Sequence, residues 1–413
     1  MVAMQSRLDS TREDFFAFCR SLRGAQFEIK GIHDFFRVSE ELEALDRVRR
    51  MSNISESDFH IFQKLQAEEP HLKSEVIRLI PGLVEVAERQ GNGQLSSRFA
   101  GSLDVFKSIA AQEASLYRAR RDWGRLILES TKNALPIGSG NQIFDIAKSD
   151  GQSPYRVQEM RRVGDACVKR LDHAWRHAVR ATVAEYYGAG NCGEQAAWAA
   201  TEINRLLPGE KLAMSNWADG KGNEHSYVTI GLPNFPETAY IDAWPENASV
   251  TNCFGYGLPY TRETSIIWER EGNGKDLRAE VLKAISKILP KIPQEYPRVD
   301  IENKSVKAMW ITRTTDGYNS DSDSDSNRRP DRGFTISPSG LAQRYPISDA
   351  LPQDTRPGPS ASSQATLTAR AARIAMPGQA GSGYTAPREM RVPHEAAIDH
   401  SRPRQPNAPR PGI

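Results

Sequence analysis

The hydrophobic period of this chain changes part-way along, and that change constrains its fold most. From about residue 10 to 130, apolar residues recur at three- and four-residue steps. "VSEELEALDRVRRM" and "HLKSEVIRLIPGLVEVAERQ" are clear cases, with charges on the opposite face. Gly91 and Gly93 mark a break before the period resumes. A further helical pattern, "YRVQEMRRVGDACVKRLDHAWRHAVRATVAEYY", is expected to be interrupted at Gly164. It precedes the helix "CGEQAAWAATEINRLL", which Pro208 and Gly209 stop. Three short strand-like runs then follow, "KLAMSNWA", "HSYVTIGL" and "AYIDAW", divided by Gly, Asn and Pro turns. "LRAEVLKAISKIL" reads as a late helix and "VKAMWITR" as a strand. Helices in series, then strands in series, predict an α+β fold.

Composition sets the outer limits. Residues 1–130 read as a helical module and 131–312 as a mixed domain. Residues 313–413 read as a disordered Pro/Ser-rich tail. More than half of the 25 prolines fall between Pro330 and Pro411, where the aromatics are Phe334, Tyr345 and Tyr384. Such a stretch buries too little apolar surface to offset the entropy of ordering. Lys and Arg number 54 against 52 Asp and Glu, a balance that leaves no basic footprint for nucleic acid. No apolar run is long enough to span a membrane, and the start, "MVAMQSRLDSTREDFFAFCR", has no secretory h-region. A cytoplasmic location, or export without a cleaved signal, is expected. The 4 cysteines, Cys19, Cys167, Cys192 and Cys253, form no C-x-x-C pair, which argues against both a disulfide frame and a zinc ribbon.

One of the four has a distinctive address. In "GAGNCGEQA", Asn191 is a natural N-cap and Glu194, three residues on, completes a capping box. Cys192 therefore opens a helix, where free N–H groups and the helix dipole favour an anion. A free thiol of pKa about 8.5 is only about 3% ionised at neutral pH, so a nucleophilic role needs this help. Glu194 pushes the other way if it approaches the sulfur, so a cation or base must be supplied. His225 opens the strand "HSYVTIG", and Asp242 follows near the end of "AYIDAW". A hairpin of these strands sets Asp242 beside His225, giving nucleophile, base and orienting acid in the order Cys192, His225, Asp242. Gly188 and Gly190 are expected to let a substrate approach the sulfur. They are also expected to shape an oxyanion pocket with the Cys192 N–H.

The set "GNCGEQA … HSYVTIG … AYIDAWP", from Tyr187 to Pro245, resembles the core of transglutaminase-like and papain-like thiol enzymes, most closely those of bacterial secreted effectors and toxins. The resemblance implies a helix bearing the cysteine packed on an antiparallel sheet. It implies Cys192 as nucleophile, His225 as base and Asp242 as orienter, with Gly190, Asn191, Gly193, Gln195 and Trp244 around the oxyanion or substrate. It departs from the usual pattern at Ser226 and Tyr227, and at Ala243, Trp244 and Pro245. The implied reaction is acyl transfer from a protein side-chain amide, by a glutamine deamidase or a transglutaminase. A papain-like protease, and a non-catalytic interaction protein on a degenerate thiol-enzyme fold, remain alternatives. The implied partner is a protein substrate, such as a host protein met after export without a cleaved signal.

Plainer readings stand beside these. Taken alone, Cys192 is more simply a buried hydrophobe, and only its order with His225 and Asp242 favours chemistry. Cys167 and Cys19 read as packing residues, and Cys253, in "TNCFGYGLPY", as structural or as a wall of the cleft. His173 and His177 stand four apart on a helix without a third ligand, so neither a metal nor another cofactor is expected. Trp198, Trp217 and Trp244 flank the site in sequence, and each is explained equally well by core packing.

Overall fold

Four long helices carry the front of the chain: α1 (Val2–Arg23), α2 (Ile32–Arg49), α3 (Glu56–Arg89) and α4 (Gly93–Ala134). Each buries one stripe, with Phe15, Cys19, Phe35, Phe62, Phe99 and Leu116 at its centre. Ser55 caps α3 by accepting from Asp58 N at 3.2 Å, and Asn92 caps α4 by accepting from Leu95 N at 3.0 Å. Gly91, at φ 69°, turns the chain between them. These features belong to a computed structural model that describes residues 1–51, 55–171, 175–218, 224–245, 248–253 and 264–299. All of these residues lie in the unit Met1–Ile374. The strand expected at "VKAMWITR", the tail expected over 313–413 and His173 lie outside them.

The middle of the chain holds α5 (Ile143–Lys148), α6 (Ser153–Val168), α7 (Arg176–Tyr187), α8 (Cys192–Leu206) and, later, α9 (Leu277–Ile285). The break expected at Gly164 is not there: α6 runs through it and ends at Val168. A helical glycine costs about 1 kcal/mol against alanine, and the buried stripe Val157, Met160, Val163 and Cys167 holds α6 past it. "SPY" is the first turn of α6, where Pro154 sits without losing a bond.

Five strands form one antiparallel sheet in the order β4-β3-β2-β1-β5. They are β1 (Lys211–Ala218), β2 (Glu224–Ile230), β3 (Ala239–Asp242), β4 (Ser249–Thr251) and β5 (Ser265–Glu271). The first three match the strand-like runs. β4 is 3 residues long, too short to show a period, and β5 places exposed Ile266 beside exposed Ile267 rather than alternating. Helix α8 lies on the sheet, with Ala199, Ala200 and Ile203 against Val228, Ile230 and Ile241. The described residues thus form an α+β fold.

The expected boundary between residues 130 and 131 falls in the last turn of α4, which also packs on α8, β3 and β4. Ion pairs tie the front to the sheet. Arg12 donates to Glu113 at 2.8 Å and to Glu237 at 2.9 Å, and Arg120 donates to Glu210 at 2.5 Å and to the Glu237 carbonyl at 3.2 Å. Glu237 lies in the connection from β2 to β3. The front therefore braces the turn between the two strands that carry His225 and Asp242.

Candidate active site

Cys192 is the first residue of α8 and is half-buried. Asn191 N donates to Glu194 Oε2 at 2.9 Å, one half of the anticipated capping box. Asn191 Oδ1 takes its well-aligned bond from Gly140 N at 2.9 Å and faces the Glu194 N–H more loosely. By position in the first turn, the N–H groups of Cys192 and Gly193 have no preceding carbonyl of the helix to bond. That leaves the positive end of α8 beside the sulfur.

The two strands supply the rest. The β2–β3 register pairs Val228 with Ile241 and Thr229 with Tyr240, so alternation puts His225 and Asp242 on one face at the same end of the hairpin. His225 Nε2 donates to Asp242 Oδ2 at 2.8 Å, and both side chains are buried. Burial alone would push the imidazole down. The Asp242 charge and hydrogen bond outweigh it, and His225 is raised to about 10, so it is a cation at neutral pH. Cys192 adds to that upward pull, while Nδ1 has no partner at ordinary hydrogen-bond distance and angle. Nδ1 is therefore the ring nitrogen that Asp242 does not occupy.

Trp244 covers the imidazole, its ring centroid 5.0 Å from that of His225. Its backbone N donates to Asp242 Oδ1 at 3.3 Å and its indole to Asn141 Oδ1 at 3.0 Å. The segment 137–141 braces this end of the site. Ile137 N donates to the Gly188 carbonyl, Gly190 N to the Gly138 carbonyl, and Ser139 Oγ to the Gly190 carbonyl. Its only signal in sequence was a short turn-forming run, "GSGN".

The glycines before Cys192 have structural reasons to be there. Gly188, at φ 66°, is the left-handed cap of α7. A Cβ on Gly190 would come within 2.6 Å of Glu194 Cβ. Several of the donors expected to face substrate point into the fold. Gly190 N and Asn191 N are engaged as described. Gln195 Nε2 donates to Ser139 Oγ and to the Gly190 carbonyl, each at 2.9 Å. By position, the N–H groups of Cys192 and Gly193 are the donors left over at the first turn of α8.

The remaining candidates separate cleanly. Cys19 and Cys167 are buried among apolar side chains. Burial pushes the Cys253 thiol up to about 12, and it packs against Tyr227 and Tyr240 rather than beside His225. Trp198 stacks under Arg278, 4.0 Å from the guanidinium carbon, and donates to Glu185. His177 stacks on Trp268. Among the described residues no group of three or more His, Cys, Asp or Glu side chains could hold a metal ion, and no helix is long and apolar enough to cross a membrane. No family model, no curated protein and no solved structure matches this chain.

Proposed function

We propose that the protein is a cysteine-dependent acyl-transfer enzyme acting on a protein side-chain amide, as a glutamine deamidase or a transglutaminase. The reading is carried by the buried His225–Asp242 pair at 2.8 Å, with the half-buried Cys192 acting on the same imidazole from the start of α8. The likeness of "GNCGEQA … HSYVTIG … AYIDAWP" to transglutaminase-like and papain-like enzymes supports the same choice.

In this mechanism the Cys192 thiolate attacks the amide carbonyl carbon, and the N–H groups at the start of α8 receive the oxyanion. The His225 imidazolium gives its Nδ1 proton to the departing ammonia, leaving a thioester on Cys192. Asp242 holds the ring through Nε2 throughout. The neutral imidazole then takes a proton from the acceptor as that acceptor attacks the thioester, and the thiolate leaves. Water as acceptor yields the glutamate side chain, and an amine yields a cross-link. A host protein is the substrate class that the resemblance to secreted effectors suggests.

The test begins with iodoacetamide labelling at pH 6, read peptide by peptide by mass spectrometry. Cys192 should label faster than Cys19, Cys167 and Cys253, and His225→Ala should remove that advantage. A Cys192 that labels no faster than the others at pH 6 would sink the enzyme reading and leave a binding role. Ammonia release from a protein substrate, lost in Cys192→Ala, then separates side-chain chemistry from peptide cleavage, which releases new termini instead.

A further inference from the structure

We propose that Arg161 on α6 is a positioning residue for Cys192: it neutralises Glu194, so that the acid capping α8 does not oppose negative charge on the sulfur at the same helix end. The inference rests on the proposed nucleophilic role of Cys192 and names a second charge pair that governs it.

The geometry poses an electrostatic conflict. Glu194 caps the helix by accepting from Asn191 N at 2.9 Å, which fixes its carboxylate at the first turn of α8. Cys192 starts that same turn. A carboxylate and a thiolate would then share one positive helix end, and each would disfavour the other. Gly190 leaves room for this arrangement, since a Cβ there would come within 2.6 Å of Glu194 Cβ.

Arg161 resolves the conflict. Its Nε donates to Glu194 Oε1 at 3.3 Å and its Nη2 to Oε2 at 3.3 Å, a two-pronged pairing on a carboxylate whose side chain is 1% exposed. Desolvation works against the Glu194 charge, yet Arg161 and, from α7, Arg180 hold the acid below its ordinary range. The carboxylate is thus ionised and matched. Arg161 and Arg180 are the charged groups that face Glu194, and His225 is the one that acts with Cys192. Three cations therefore serve this helix end: His225, paired to Asp242, and Arg161 and Arg180 on the capping acid. Sequence gave no hint of Arg161, because the contact joins two helices across residues 161 and 194.

Opposite signs make the idea testable. The probe is iodoacetamide, and the readout is the pH profile of Cys192 labelling in the full chain, with folding checked by circular dichroism. Arg161→Met leaves Glu194 less compensated and should move the profile about one unit toward higher pH, a roughly tenfold slower reaction at pH 6. Glu194→Gln retains an oxygen to accept from Asn191 N but removes the negative charge, and should move the profile to lower pH. The double variant should return close to wild type. If both single variants slow labelling alike, or neither shifts the profile, Arg161 is only a packing contact and the proposal falls. If Arg161→Met does not fold, Glu194→Gln decides alone, since a shift to higher pH or none refutes the charge argument. A wild-type Cys192 that lacks His225-dependent reactivity overturns the proposed function and this inference together. A His225-dependent Cys192 without the opposed shifts overturns only this inference.

Discussion

The helical front and the end of α8 both bury ionic groups, but only the second adds a cation that can give up a proton, the His225 imidazole. In the front, Arg12 lies between Glu113 and Glu237, and Glu69 is paired with Arg49 and Lys73. Burial opposes these charges, yet their partners win, and Glu69 is held down to about 2. Guanidinium and ammonium groups so paired keep their charge across the working pH range. At the α8 end Arg161 holds Glu194 in the same way, but an imidazole is added, bonded to Asp242 through one nitrogen and left without a hydrogen-bond partner at the other. Fixed charges suit a brace, whereas a cation that can give up a proton suits chemistry. Cysteines divide along the same line. Cys19 in the front is fully buried and pushed up to about 12 by that burial, whereas Cys192 is half-exposed at a helix start.

The largest effect expected is at the titratable cation. His225→Ala should lower acyl transfer by about 10²- to 10⁴-fold, the usual contribution of a general acid or base, and should slow Cys192 labelling at pH 6 at least tenfold. Unfolding in urea should show the variant still folded. A loss smaller than about tenfold would erase the distinction between the two regions.

Next comes the brace. Arg12→Met leaves the buried carboxylates of Glu113 and Glu237 without their guanidinium. Breaking a buried pair in this way costs about 3–5 kcal/mol. The urea midpoint should fall accordingly, while Cys192 labelling in the folded fraction stays within a few-fold of wild type. Lost reactivity at unchanged stability would move Arg12 from the brace into the site.

The pH dependence of stability sharpens the contrast further. His225 is raised from 6.5 to about 10 in the folded chain, so its contribution to stability is complete below about pH 6.5 and fades as pH rises through about 10. Urea unfolding of wild type against His225→Gln should show an advantage that shrinks across that interval. An advantage that grew instead would mean that the imidazole is buried neutral. The smallest effect concerns the cover over the ring. Asn141→Ala frees the Trp244 indole from its 3.0 Å acceptor and should cost about 1 kcal/mol of stability and slow labelling only a few-fold. No change in rate would make Trp244 a bystander.

Some of this organisation was local enough to be legible in the chain. The cap at Asn191, the helix start at Cys192, the three strand runs and the order of Cys192, His225 and Asp242 all rest on neighbours or on a short period. The interruption expected at Gly164 shows the limit of local reasoning, because a weak helix former was overruled by the buried stripe of α6. The brace 137–141 was hidden for the opposite reason: a loop has no period, and its partners are Gly188, Gly190, Gln195 and Trp244, distant in sequence.

The sequence by itself determined the helical periods, the capped start of α8 and the types of group that can do thiol chemistry. Interactions within a few residues settle such features, and those residues are written side by side. Only the tertiary structure decided that Asp242 meets His225 at 2.8 Å, that Arg161 answers Glu194, and that Arg12 and Arg120 hold the β2–β3 connection from the front. Each of those contacts joins separate elements, and its strength comes from burial that exists only once the helices and the sheet have packed.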